Sequence, residues 1–195
     1  MTRDKDGARL YPSGMSIAEK RERLGQIIRE KSLLTGGEFK LASGAASAFY
    51  FDMKKTMFDP EGAALIGEVL FDLIKNDGVD QVGGLEIGAV PIATAVAMRS
   101  FPERPIRAFF VRKEPKGHGT NRLIDGQYRD GGKTILFEDV TTTGGSVMKA
   151  VDAVRERGGT VAKIVTLVDR LEGAKANLAK EGIELVSVFT KDDFR

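Results

Sequence analysis

Thr134 to Ser146 reads TILFEDVTTTGGS, and the fold follows from this stretch. An apolar run ends in two adjacent acids, Glu138 and Asp139, and then passes through Thr141, Thr142, Thr143, Gly144 and Gly145 to Ser146. Such a run suits a strand buried on both faces, and the glycines and serine open a helix predicted from Gly145 to Arg157. The same order of apolar run, turn and helix recurs from residue 80 onward. DQVGGLE precedes a helix from Pro91, PIRAFFVR follows it, TVAKIVTLVDR precedes a helix around Gly173 to Lys180, and ELVSVF closes the series. Short apolar runs alternating with helices predict an α/β fold: a parallel sheet flanked by helices.

Toward the N-terminus the pattern differs. Ser16 and Glu19 have capping-box spacing, and Ile17, Leu24, Ile27, Ile28 and Leu34 are expected on one helical face. Phe39 to Ala42 and Ala48 to Met53 are short alternating segments separated by SGAAS, either a β-hairpin or a pair of edge strands. Asp59-Pro60 starts a further helix, running to about Lys75. The expected organisation is a flexible arm over 1–15 and a single domain over 16–195. Within that domain, a small N-terminal α+β lobe covers about 16–58 and the core about 59–195.

Composition removes several chemistries. The 195 residues include one histidine, His118, and no cysteine, which excludes disulfides, thiolate nucleophiles, zinc fingers and two-histidine metal sites. Any metal must rest on oxygen. A net charge of +2 gives no argument for nucleic acid. The weakly polar run from Gly88 to Met98 is far shorter than the ~20 residues of a membrane helix, and residues 1–14 lack a signal-peptide core. A cytoplasmic location is expected, with no membrane partner. Glycine, at 23 residues, is enriched without a collagen period, as where backbone turns tightly or approaches a ligand closely.

In parallel sheets, ligands bind beyond the carboxyl ends of the strands. There, the Thr/Gly loop and the following helix start can wrap a phosphate with backbone N–H groups and hydroxyls. Glu138 and Asp139 are placed to accept hydrogen bonds from vicinal sugar hydroxyls or to hold hydrated magnesium. A phosphate beside two such hydroxyls describes a ribose 5-phosphate. Gly132-Lys133-Thr134 is not a P-loop, because Gln127 is out of register and a strand follows. The second segment, RKEPKGHGTNR from Arg112 to Arg122, gathers Arg112, Lys113, Lys116, His118 and Arg122 against Glu114. It is predicted as a long loop acting as a lid that neutralises a departing pyrophosphate. The two segments together call for 5-phosphoribosyl 1-pyrophosphate (PRPP).

On these residues the chain resembles the type I phosphoribosyltransferases, and specifically the orotate phosphoribosyltransferases. The acidic pair with its Thr/Gly loop is similar to the family's PRPP motif, and RKEPKGHGT is similar to the catalytic loop of the orotate enzymes. The resemblance covers about Leu33 to Arg170 and includes FKLASGAASAFYFD, the DPEG helix start, GLEIGAVPIA and VDRLEG.

The resemblance implies that Glu138 and Asp139 face the ribose hydroxyls, while Val140, Thr141, Thr142, Thr143, Gly144, Gly145 and Ser146 complete the PRPP site. It puts Arg112, Lys113, Lys116 and His118 on the pyrophosphate, with Lys113 entering the neighbouring subunit of a homodimer. Orotate lies between Tyr50-Phe51 and Thr142, met also by Arg170. Magnesium is carried mainly by PRPP and water rather than by protein ligands. The implied reaction is orotate plus PRPP giving orotidine 5-monophosphate and pyrophosphate, a step of pyrimidine synthesis. Many bacterial relatives have Lys in place of Ala42 and Tyr-Lys in place of Ile87-Gly88, which leaves Lys54 or Lys55 to compensate; other branches share the GLxxGAxP pattern. The alternatives are a purine-specific transferase, a non-catalytic PRPP-sensing regulator, or a general phosphate-binding module.

Overall fold

The structure is a computed structural model that describes residues 14–40, 46–114 and 123–195. Ser16 caps α1 (Ile17–Ile27): its hydroxyl accepts from the Glu19 N–H, and the Glu19 carboxylate accepts from the Ser16 backbone. A wider turn, Ile28–Ser32, then unwinds the helix into β1 (Leu33–Lys40), which pairs antiparallel with β2 (Ala46–Phe51). The hairpin reading therefore holds, but the first strand begins six residues before the predicted Phe39 and contains Leu34, which leaves the helical face. Ile17 also departs from that face and is 40% exposed.

A short helix, α2 (Lys54–Met57), leads to α3 (Pro60–Ile74). Asp59 caps α3 through the Gly62 N–H at 3.0 Å, and Pro60 occupies the first turn, where a missing N–H costs nothing. The repeating part follows as β3 (Gln81–Gly83), α4 (Ala89–Ser100), β4 (Arg107–Val111), β5 (Ile124–Gly126), β6 (Lys133–Thr141), α5 (Gly145–Glu156), β7 (Thr160–Asp169), α6 (Ala174–Lys180) and β8 (Leu185–Thr190). The sheet order is β5-β4-β3-β6-β7-β8. All its pairs are parallel except β4 with β5, a short edge strand absent from the sequence expectation.

Alternation along β6 divides the core. Ile135 and Phe137 join Leu24, Leu65, Ile66 and Leu70 beneath α1, α3 and α4, whereas Leu136 joins Val147, Val151 and Leu178 beneath α5 and α6. Phe51 and Met53, at the end of the hairpin, belong to the first cluster, so the hairpin is seated on the same core as the sheet. Residues at the carboxyl ends of β3, β4, β6 and β7 line one cleft, with the hairpin end opposite. Of the N-terminal arm expected over 1–15, positions 1–13 lie outside the described residues.

Candidate active site

The cleft has a volume of about 320 Å³. Its lining brings together Tyr50 and Phe51 from β2, Lys113 after β4, Glu138, Asp139 and Val140 from β6, Thr142 and Ser146 from the loop, and Arg170 after β7. These residues lie up to 120 positions apart in the chain, from Tyr50 to Arg170, and share one wall-to-wall space.

The phosphate-type loop is shaped by Gly144, whose φ of +85° is readily adopted only without a Cβ. A side chain there would also meet Leu178 at 3.2 Å. The loop is fixed from below: Arg170 N–H donates to the Thr141 carbonyl, Ala174 N–H to that of Thr142, and the Asn177 amide to that of Thr143. With its carbonyls held down, the loop is preorganised. The Thr141 hydroxyl is buried without a hydrogen-bond partner, a polar atom at the site still to be satisfied. Thr141, Thr143, Gly144 and Gly145 support the cleft without lining it.

Glu138 is 7% exposed and accepts from the Ser146 hydroxyl at 3.1 Å and the Asp139 N–H at 3.2 Å. Burial, and then the neighbouring Asp139, push its carboxyl up to about 8. Removing a carboxylate from water beside a like charge favours the protonated form. Asp139 bonds the Val140 N–H at 2.9 Å and closes against Gly88, where an added Cβ would stand 2.7 Å from Asp139 Oδ1. Gly84 is tighter still: its Cβ would fall 2.3 Å from the Phe137 carbonyl oxygen. Bare backbone after β3 is what lets its loop lie beside β6.

Arg170 is 2% exposed and extensively bonded. Its Nε donates to Glu172 at 2.8 Å, its terminal nitrogens to Ser47 Oγ at 2.9 Å and the Phe49 carbonyl at 3.4 Å, and its guanidinium lies 4.3 Å from the centre of the Phe49 ring. It thus fastens β2 to the end of β7 as well as lining the cleft.

Arg112 departs from its expected place. Its guanidinium pairs with Asp125 of β5 at 3.5 Å, and it does not line the cleft. The unrecognised edge strand explains the difference, because it supplies a carboxylate on the far side of β4. Lys116 and His118 lie outside the described residues. Glu86 and Lys54 also line the cleft. The Lys113 backbone N–H donates to Glu86 at 2.9 Å, a contact that ties the ends of β3 and β4 together. An acid three residues beyond a glycine-ended strand was the available sequence signal for Glu86.

Comparison with known proteins agrees with this geometry. The phosphoribosyl transferase domain family matches residues 55–192. An orotate phosphoribosyltransferase of Rhodopseudomonas palustris is 47% identical over 185 residues, covering 92% of this chain and 98% of the relative. The crystal structure of the Mycobacterium tuberculosis orotate phosphoribosyltransferase superposes with a TM-score of 0.79 at 38% identity, covering 90% of this chain and 98% of that one. A PRPP complex of the M. tuberculosis enzyme gives 0.74 at 32% identity, covering 91% and 92%. The chain belongs to the phosphoribosyltransferase family and, within it, to the orotate phosphoribosyltransferases.

Proposed function

We propose that the cleft joins orotate to the ribose 5-phosphate of PRPP, with the site divided among its walls. The observation that carries this division is the meeting, in one cleft, of a buried acid pair, a preorganised Thr/Gly loop, a lysine and two aromatic residues. The loop from Thr141 to Ser146 takes the 5-phosphate through N–H groups and hydroxyls. Glu138 and Asp139 take the ribose hydroxyls, and the loop Leu85–Gly88 with Lys113 takes the pyrophosphate. Orotate lies against Tyr50 and Phe51, within reach of Thr142 and of Arg170 N–H groups not already engaged.

The chemistry needs no enzyme nucleophile. The C1–oxygen bond to pyrophosphate breaks while an orotate ring nitrogen forms its bond to C1; the electron pair leaves with pyrophosphate, and the proton of the ring N–H passes to pyrophosphate or water. Positive charge grows on the ribose as in other glycosyl transfers. The protein orients the two substrates, neutralises the leaving group and excludes water. Lys116 and His118 belong to this lid in the proposal, and Lys113 reaches the site of a second subunit in a homodimer.

Magnesium, when bound, screens the pyrophosphate and ribose oxygens. Among the described residues no group of three or more His, Asp or Glu is arranged to hold a metal. The acid pair suits a hydrated ion carried by substrate, since Glu138 and Asp139 repel one another in a buried place and a cation relieves that repulsion. Among the described residues no helix is long and apolar enough to cross a membrane. A cytoplasmic location is part of the proposal.

The test is an absorbance assay of orotate consumption with PRPP and magnesium, beside adenine, hypoxanthine, xanthine and uracil. Consumption of orotate alone is expected. Consumption of a purine without orotate would reject the proposal.

A further inference from the structure

Lys54 and Lys55 are adjacent exposed cations at the start of α2, and they differ in one respect: Lys54 lines the cleft and Lys55 does not. The difference is built into the fold. Met53, Thr56 and Met57 around them are buried, and the Thr56 hydroxyl lies 2.6 Å from that of Ser32. The Asp52 N–H donates to the Ser32 carbonyl at 2.8 Å. These contacts fix the helix's rotation and turn position 54 toward the strand ends.

Charge makes this lysine consequential. Glu86, Glu138 and Asp139 line the cleft against Lys54, Lys113 and Arg170, and the Arg170 guanidinium is engaged by Glu172, Ser47 and Phe49. A polyphosphate entering this space needs further positive charge. Lys54 Nζ stands 2.9 Å from Asp52 Oδ1, a single contact for a group with three N–H donors. Asp52 is the chief influence keeping that ammonium charged, with Tyr50 and Asp139 adding to it. Asp139 in turn abuts Gly88, and Lys54 lines the same cleft as Leu85–Gly88.

We propose that Lys54 is a substrate-binding residue whose ammonium meets the pyrophosphate of PRPP from the hairpin side of the cleft, opposite Lys113. The inference rests on the PRPP reading above. It distinguishes Lys54 from its neighbour and from the base-binding wall.

The experiment compares Lys54→Ala, Lys54→Arg and Lys55→Ala with the wild-type enzyme. Each is assayed by steady-state kinetics in both substrates and by calorimetric titration with PRPP and magnesium without orotate, after thermal melting confirms the fold. Lys54→Ala should raise the KM for PRPP and weaken PRPP binding about tenfold, in keeping with loss of one charged hydrogen bond. Lys54→Arg should restore most of this, the KM for orotate should stay within about twofold, and Lys55→Ala should match the wild type. Unchanged PRPP binding in Lys54→Ala overturns the proposal. A rise confined to the KM for orotate also overturns it, by moving the lysine to the base carboxylate. Should the wild type bind PRPP yet consume no orotate, the functional reading fails, and the titration still decides on Lys54.

Discussion

The carboxyl ends of β6 and β7 lie side by side, with Thr141 paired to Asp169, and each buries an ionisable side chain at the cleft. Glu138 on β6 has a serine hydroxyl and one backbone N–H as donors, a second acid beside it, and a carboxyl pushed up to about 8. Arg170 beyond β7 has a carboxylate, a hydroxyl, a carbonyl and an aromatic face. The β6 end is thus unfavourable until something completes it, whereas the β7 end already has partners on each guanidinium nitrogen and holds the hairpin in place. Unmet polar groups in a folded protein are tolerated chiefly where a ligand is to meet them. The contrast separates a site for chemistry from a site for architecture within a single pair of strands.

The largest effect is expected at the rim of the cleft. If the β6 end awaits an anionic substrate, removing a cation that receives it should harm turnover and spare the fold. Lys113→Ala is expected to lower kcat by on the order of 10²-fold or more, the scale of a lost electrostatic contact to a developing charge. The melting temperature should stay close to that of the wild type, because this side chain is exposed. Turnover near wild type in steady-state assays would remove Lys113 from the mechanism.

At the β7 end the expectation reverses, with stability affected first. Arg170→Ala removes charged hydrogen bonds to Glu172 and Ser47 together with the contact over Phe49. With about 1.5 kcal/mol for the charged hydrogen bond to Ser47, about 0–1 for the solvent-screened pair with Glu172 and roughly 1 for the cation–π contact, a loss of about 3 kcal/mol is expected in urea denaturation. A loss below about 0.5 kcal/mol would show that β2 is held by its other contacts.

Glu138→Gln tests the β6 end through pH. Its folded carboxyl titrates above the ordinary value of 4.5. Between these values the unfolded chain has released a proton that the native protein keeps, so native stability falls as pH rises from about 4.5 to about 8. Glutamine has no such proton. The variant should gain stability over the wild type as pH rises, fully by about pH 8, with the gain vanishing toward pH 4.5. The same change should weaken PRPP binding. A pH-independent difference in stability would show that the carboxyl is not titrating in this way.

How much of this was visible in the sequence depends on how local each feature is. The β6 run, its acid pair and the Thr/Gly loop are contiguous, so both the strand and the acids at its end could be read from Thr134 to Ser146. The parallel sheet followed from apolar runs buried on both faces. β1 hid its beginning in Thr35, Gly36 and Gly37, where alternation is absent and the register shifts before Phe39. β5 was too short to announce itself, and with it went the place of Arg112. Arg170 was expected at the cleft and lines it, but its partners Ser47 and Phe49 are 123 and 121 positions away. Nothing near VDRLEG indicates that its guanidinium holds a hairpin. The shifted titration of Glu138 likewise comes from burial by distant elements.

The smallest expected effect separates Arg170's partners from one another. Glu172 is the one formally charged partner, yet its side chain is 29% exposed, so solvent screens the pair with Arg170 Nε at 2.8 Å. Exposed ion pairs contribute about 0–1 kcal/mol, and glutamine keeps an oxygen able to accept the same N–H. Glu172→Gln should therefore cost less than about 1 kcal/mol and leave the KM for orotate within about twofold. Ser47 joins Arg170 to the hairpin itself, so Ser47→Ala combined with Arg170→Ala in a double-mutant cycle should show coupling that Glu172→Gln lacks. Coupling carried instead by Glu172 would make the β7 end an electrostatic latch. Coupling through Ser47 makes it a backbone-and-hydroxyl fastening that persists at high salt.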